Sequence, residues 1–220
     1  MTTEFTKEQL LAGVSPVVMS ATEDADLLKQ CPHTIVKGTD LALVARMQDT
    51  EGKNVLVTNE IKSQAHLTEA EIMRAATQNM ISGRDGGYVI APLTQMIGLP
   101  EDPDAPKLLV VTNQSGQYGA AEALNPRVQQ ELSQQLAGDF YILPSSKHEV
   151  IAVSASAGLG QRELQGMVAD INASEVSKAD KLSDTVYRYD FQSKTFGVAS
   201  EMEKTQVMPQ VETAGRGRRM

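Results

Sequence analysis

Lys107-Leu-Leu-Val-Val-Thr112 is the stretch of this chain that decides its fold. A short apolar run with a Pro-rich loop before it and a polar turn after it is typical of a central strand buried on both faces. Further along, Asn125-Pro126 supplies an N-cap residue with proline at the first helical position. Val128, Leu132 and Leu136 then recur at helical spacing. The centre of the chain therefore predicts a buried strand followed by an amphipathic helix.

Strands and helices alternate on both sides of this pair, without a regular βαβ period. The patterns predict strands over 41–47, 54–58, 88–91, 140–143, 149–153, 185–191 and 195–198, and helices over 68–81 and 161–172. Short polar segments between some of these strands suit hairpins. In the strand over 185–191, Tyr187, Tyr189 and Phe191 share one face, which we expect to cover the core. The order predicts an α+β fold, a mixed or mainly antiparallel sheet with helices packed on it, in a single compact domain.

The ends of the chain carry less pattern than its middle. Residues 1–35 show a helix start at Thr6 with Gln9 three residues on, and little else. We therefore predict a poorly patterned N-terminal segment (1–35), an α+β core domain (36–200) and a disordered tail (201–220). The Pro-rich acidic stretch 99–106 is interpreted as a surface loop, because the strands on either side are too few for separate cores.

Composition limits the kinds of partner. The net charge is −8, which disfavours nucleic-acid binding except through Arg216, Arg218 and Arg219 near the C-terminus. The chain has one cysteine, so no intramolecular disulfide can form. The first residues lack the apolar segment of a signal peptide, and no window of 18 residues is uninterruptedly apolar. We expect a cytoplasmic protein that does not contact the membrane.

Ser145, Ser146, His148 and Glu149 are the one concentrated set of catalytic residue types. A serine beside a histidine can form an activated nucleophile, with a carboxylate orienting the imidazole. Against this, a strand beginning at Glu149 would turn His148 and Glu149 to opposite faces, and no G-x-S-x-G elbow surrounds either serine. A tight turn after Pro144 with local serine hydrogen bonds is the simpler interpretation. Ser146, His148 and Glu149 remain the candidates for a catalytic site.

A second candidate site is the polar loop that follows the buried strand. Loops in this position often carry ligands, and its amides could bind a small polar molecule or a partner's backbone. The candidate ligand or partner residues are Asn113, Gln114, Ser115, Gln117 and Tyr118. A solvated turn is the alternative. For metals the chain offers Cys31 and His33, with no further ligand at metal-binding spacing, so we expect neither a metal nor another cofactor.

Several blocks resemble an uncharacterised bacterial family of unknown function met in gut Firmicutes and their mobile elements. They include the I-L-P-S-S-x-H-E block at 142–149, the L-S-D-x-V-Y block at 182–187 and a helix ending in A-x-x-N at Asn79. The resemblance spans roughly residues 70–190. It implies an intracellular protein, often from phage-like or mobile-element contexts, and it carries no known activity.

We predict a non-enzymatic binding or interaction protein with a protein partner. An acidic surface suits a basic partner, and no complete catalytic constellation is evident. One alternative is a hydrolase or transferase with a pocket around Ser146, His148 and Glu149. Another is a homo-oligomeric structural protein, for which a Met-rich surface would supply the interface.

Overall fold

The computed structural model describes residues 5–207, and side chains through residue 204. It contains eight α-helices in this part of the chain: α1 (Lys7–Gly13), α2 (Ala25–Leu28), α3 (Asn59–Gln64), α4 (Glu69–Ser82), α5 (Leu93–Met96), α6 (Pro126–Gln135), α7 (Gln161–Ser174) and α8 (Ala199–Val207). A 3₁₀ helix spans Gly119–Leu124.

The strands are β1 (Ser15–Ser20), β2 (His33–Ile35), β3 (Leu41–Gln48), β4 (Asn54–Leu56), β5 (Tyr88–Pro92), β6 (Leu108–Asn113), β7 (Phe140–Pro144), β8 (Val150–Ser154), β9 (Tyr187–Asp190) and β10 (Thr195–Val198). They form two sheets. In the first, β1 pairs with one side of β3, and both β2 and β4 pair with the other side. The second has the order β10-β9-β7-β8-β6-β5. The pairings in both sheets are antiparallel, which confirms the predicted fold class.

The two sheets share a core. Val18 and Leu41 of the first sheet belong to the same buried cluster as Val111, Ile142 and Tyr187 of the second. The cluster includes Leu109 and Val111 of β6. All residues of this strand after Leu108 are buried, as expected for the strand predicted to be central. A common core makes the chain one compact domain.

Local sequence signals set the ends of several helices. Thr6 and Thr68 form capping boxes with Gln9 and Glu71 at the starts of α1 and α4. Gly83 ends α4 in the left-handed conformation that glycine adopts without strain. Asn125 caps α6, with Pro126 at its first position. These assignments confirm the helices expected from the sequence.

Polar side chains from the resemblance blocks connect distant parts of the fold. Asn79 is buried near the end of α4, and its Nδ2 donates to the carbonyls of Leu11 and Val14 at 3.0 and 2.8 Å, where α1 ends. Asp40 accepts hydrogen bonds from the hydroxyls of Ser183, Thr185 and Tyr187. These contacts hold the 182–187 block against the residues that precede β3.

Several features differ from the sequence expectations, among them two sheets where one was expected. Phe191 lies beyond the end of β9 and is 45% exposed, whereas Tyr187 and Tyr189 are buried as predicted. The segment 1–35 contributes α1, β1, α2 and β2, and β1 and β2 pair with β3. The predicted disordered tail begins inside α8, which extends to Val207. Residues 208–220, with Arg216, Arg218 and Arg219, lie outside the described residues.

Candidate functional site

The loop after β6 folds back onto the end of its own strand. Asn113 is buried, and its side chain organises the loop by donating to the Gln117 carbonyl at 2.8 Å and accepting from the Ser115 hydroxyl at 2.9 Å. Tyr118 has a φ of 58° and leads into Gly119. A Cβ at Gly119 would lie 2.4 Å from the Asn113 nitrogen and 2.8 Å from the His148 carbonyl oxygen. Glycine is therefore required where the loop passes between β6 and His148.

His148 is held by hydrogen bonds at both ring nitrogens. Its Nδ1 accepts from the backbone N–H of Tyr118 at 3.1 Å, and its Nε2 lies 3.1 Å from Asp180 Oδ1. Because Nδ1 accepts a hydrogen bond, the ring proton lies on Nε2, which donates a hydrogen bond to the Asp180 carboxylate. The hydrogen bond from Ser177 is the main reason that the pKa of the Asp180 carboxyl lies below its ordinary value. Burial opposes this lowering, and the hydrogen bond from His148 adds to it. Neither nitrogen of His148 keeps a free lone pair for a substrate.

The serines beside His148 complete a tight turn. Ser146 Oγ accepts from the backbone N–H groups of His148 and Glu149, and Ser145 Oγ donates to the Glu149 carbonyl at 3.1 Å. Within the described residues, no hydrogen bond joins either serine hydroxyl to the His148 ring. Ser146, His148 and Glu149 are adjacent in the chain, but their side chains do not converge as a nucleophile, base and orienting carboxylate would.

A polar cleft of about 660 Å³ lies between the first sheet and the loops at the start of β5 and the end of β6. This volume falls in the range that suits small-molecule ligands. Strands of the first sheet, the N-terminal helix α1 and the loops next to β5 and β6 form its walls. The cleft residues are Phe5, Gln9, Gly13, Ser15, Arg46, Met47, Gln48, Asp49, Thr50, Gly52, Asn54, Arg84, Asp85, Ser115 and Gln117.

A chain of side-chain contacts crosses the cleft from strand to loop. Arg46 Nη1 donates to Asn54 Oδ1 at 2.5 Å, and Asn54 Nδ2 donates to Gln117 Oε1 at 2.7 Å. The Arg46 guanidinium also lies 5.6 Å from the centre of the Tyr118 ring, which in turn lies 5.3 Å from the His148 ring. The cleft and His148 are thus connected through Tyr118.

The residues predicted from the 113–119 loop fall into different positions. Ser115 and Gln117 line the cleft. Tyr118 packs behind Arg46, and Asn113 shapes the loop from inside. Gln114 is exposed and is not part of the cleft wall. The loop prediction therefore located one wall of the cleft.

Sequence analysis did not single out the cleft residues Arg46, Asn54, Arg84 and Asp85. Arg46 had a usable signal, since it is the one charged residue inside the apolar run Leu41-Ala-Leu-Val-Ala-Arg-Met47. A charged side chain in a strand that is otherwise apolar marks a position with a special partner. Nothing local in the sequence marks the other residues, because they join the cleft only through tertiary packing.

The part of the chain between residues 5 and 207 shows no group of three or more His, Cys, Asp or Glu side chains arranged to hold a metal ion. Cys31 is buried, and the His33 ring contacts the Cys31 carbonyl. None of the helices described is both long and apolar enough to cross a membrane.

Comparison with known proteins gives a family and no activity. The model of a family of unknown function, DUF5688, matches residues 4–191. No curated protein and no solved structure matches the chain significantly. The chain belongs to the DUF5688 family.

Proposed function

We propose that this member of the family is a non-enzymatic binding protein, in the phage or mobile-element setting that the resemblance implies, and that its ligand site is the cleft between the first sheet and the 113–119 loop. The observation that carries the proposal is the cleft itself. It has ligand-sized volume, and its walls hold several side chains that can donate or accept hydrogen bonds.

The hydrogen bonds at both ring nitrogens of His148 favour a binding function over a catalytic one. A general base needs a free lone pair within reach of the proton that it removes. The Nδ1 lone pair of His148 is engaged by the Tyr118 amide, and Nε2 is directed at Asp180. The neighbouring serine hydroxyls are used within the turn. The serines therefore stabilise their own turn, and His148 holds the loop that borders the cleft.

Blocking the cleft tests the proposal. Gly13 lines the cleft, and a Cβ at this position meets no atom within 4 Å, so Gly13→Tyr fills the space without a clash at its base. Gly166→Tyr is the matched control, because Gly166 is equally open but lies on the exposed side of α7.

The measurement is a thermal-shift screen of a small-molecule library on the wild type and both variants. A ligand that binds the native state raises the melting temperature. We expect ligands that stabilise the wild type and Gly166→Tyr and fail with Gly13→Tyr. Ligands that stabilise all three proteins equally would place binding elsewhere and overturn the proposal.

A second candidate function is docking of a basic protein, and an exposed apolar patch favours it. Met96, Ile97 and Leu99 are 49%, 58% and 58% exposed at the end of α5. The loop that follows carries exposed carboxylates at Glu101, Asp102 and Asp104. Apolar side chains beside concentrated negative charge suit a partner with an apolar and basic surface.

Substitutions in the patch test this second function. The double variant Ile97→Ser/Leu99→Ser removes apolar area from the patch, and Ile35→Ser, at a site 51% exposed on β2, is the control. Pull-down from the native host should recover a basic protein with the wild type and Ile35→Ser, and not with the double variant. Complex formation should weaken with salt. Recovery only of further copies of this chain would point instead to self-association.

A further inference from the structure

Arg46 is a buried cation that forms no ion pair with any carboxylate of the described residues. It lies on β3 and is 6% exposed. Its Nη1 contacts the neutral amide of Asn54, its Nε is buried without a hydrogen-bond partner, and Nη2 forms no hydrogen bond with any residue of the described chain. The Tyr118 ring at 5.6 Å offers a face to the charge but no negative group.

Comparison with the other buried cation of the described chain shows what Arg46 lacks. Lys147 is buried to the same degree, at 7% exposure, and pairs with Asp24 at 2.8 Å. Arg188, which is partly buried, pairs with Asp139 at 2.7 Å. A charge removed from water is costly unless an opposite charge and hydrogen bonds compensate it. At Arg46 the chain supplies one neutral acceptor where the other sites supply a carboxylate.

The carboxylates of the cleft form no ion pair with Arg46. Asp49 Oδ1 accepts from the backbone N–H groups of Glu51 and Lys53 at 2.9 Å, within the β3–β4 turn. Asp85 Oδ1 accepts from the backbone N–H of Gly87 at 3.3 Å. Burial lowers the pKa of Arg46, and the Asp85 charge, which acts on Arg46 without a hydrogen bond, only partly opposes this lowering. Neither carboxylate forms an ion pair with Arg46 or with Arg84. The exposed side chain of Arg84 also lines the cleft and forms no hydrogen bond or ion pair with the residues that the structure describes.

We propose that the ligand of the cleft carries a carboxylate or phosphate group, and that Arg46 binds this group through Nη2. The inference rests on the proposed binding function and specifies its ligand class. Arginine suits the task because its planar guanidinium matches the geometry of both anions. Arg84 provides a second positive charge at the exposed side, and Ser115 and Gln117 offer hydrogen bonds to the rest of the ligand.

The isosteric variant Asn54→Asp tests the proposal by supplying the missing charge from within the chain. It places a carboxylate oxygen at the atom that Arg46 already contacts, and the Gln117 amide can turn to donate to the other oxygen. Gln95→Glu is the control for one additional negative charge, since Gln95 is exposed on α5 and lies outside the cleft.

The probes are inorganic phosphate and succinate, titrated to millimolar levels at constant ionic strength against chloride. We expect at least one probe to raise the melting temperature of the wild type and of Gln95→Glu, and a comparison of the two probes distinguishes a phosphate site from a carboxylate site. Asn54→Asp should melt at a higher temperature than the wild type without any probe and should lose the response. Arg84→Gln should weaken the response without lowering the melting temperature of the free protein.

A wild type that responds to neither anion, or an Asn54→Asp protein that responds as the wild type does, would overturn the anion proposal. Its failure is separable from failure of the binding function. Neutral ligands that are blocked by Gly13→Tyr and unaffected by Asn54→Asp would leave the cleft as the binding site and remove the requirement for an anion.

Discussion

Lys147 Nζ lies 2.8 Å from Asp24 Oδ1, and this ion pair joins residues that are 123 positions apart in the chain. The two side chains are 8% and 15% exposed. Lys147 Nζ also donates to the Ala179 carbonyl at 2.9 Å, and Asp24 Oδ2 accepts from the Ser20 amide. The pair therefore fixes the turn that carries His148 against the end of β1.

Replacing Lys147 with Met should destabilise the protein by about 3 kcal/mol, because it leaves the buried Asp24 carboxylate without its cation. Lys29→Met is the matched control. Lys29 also pairs with an aspartate, Asp26, but the two side chains are 75% and 94% exposed, so its loss should cost less than about 0.5 kcal/mol. Urea unfolding of both variants measures the difference. Equal losses would show that burial does not decide the strength of the Lys147–Asp24 pair.

Gly119→Ala should destabilise the fold by more than about 3 kcal/mol, because the new Cβ would overlap rigid groups. The nearest are the Asn113 nitrogen and Thr112 Oγ1, both at 2.4 Å. Gly166→Ala, in the exposed middle of α7, should instead stabilise the protein by about 0.5–1 kcal/mol through helix propensity. Thermal and urea unfolding give both values. A stable Gly119→Ala protein with an unchanged fold would contradict the close approach of the loop to β6.

Glu122 makes stability depend on pH near neutrality. It is 2% exposed, its Oε1 has no hydrogen-bond partner, and its Oε2 accepts from Asn125. Burial raises the pKa of this carboxyl from 4.5 to about 7, against the opposing hydrogen bond from Asn125. Between these values the unfolded chain has lost the proton that the folded protein keeps, so stability falls as pH rises. The full loss is about 3 kcal/mol and is complete above about pH 7.

Glu122→Gln should remove the decrease in stability with rising pH, because the glutamine amide does not titrate. The free energy of unfolding, measured in urea between pH 5 and pH 8, should decline with pH in the wild type and stay flatter in the variant. Glu163→Gln, at an exposed position in the first turn of α7, controls for the loss of one negative charge. A variant that follows the wild-type profile would place the titration on another group.

His148→Ala should free the Tyr118 amide, because the accepting Nδ1 is lost. We expect a loss of about 1–2 kcal/mol in stability and faster hydrogen exchange at the Tyr118 N–H. Asp180→Asn keeps an acceptor oxygen for Nε2 and should change exchange at Tyr118 little. The measurement is the hydrogen-exchange rate of the Tyr118 amide by nuclear magnetic resonance in the wild type and both variants. Unchanged exchange in His148→Ala would show that His148 does not hold the loop.

Much of the fold could be predicted from local patterns, while the candidate site could be predicted only in part. The loop after the buried strand was singled out because such loops carry ligands, and Ser115 and Gln117 do line the cleft. The Ser146–His148–Glu149 block attracted a catalytic hypothesis because its residue types are those of a nucleophile, a base and a carboxylate. The structure shows the serine hydroxyls bonded within the turn and the His148 ring bonded to the Tyr118 amide and Asp180. Residue type alone does not reveal such directions.

Elements with local causes could be predicted from the amino-acid sequence: the apolar run of β6, the capping boxes at Thr6 and Thr68, and the Asn125-Pro126 start of α6. Each depends on residues a few positions apart, so the signal lies within a short window. Two features follow only from the packing of the folded chain: the contact between Asn54 and Gln117, 63 positions apart, and the burial of Arg46 without an ion pair to the described residues. Such contacts depend on how the two sheets pack around a shared core, and patterns within a short window of sequence do not predict that packing.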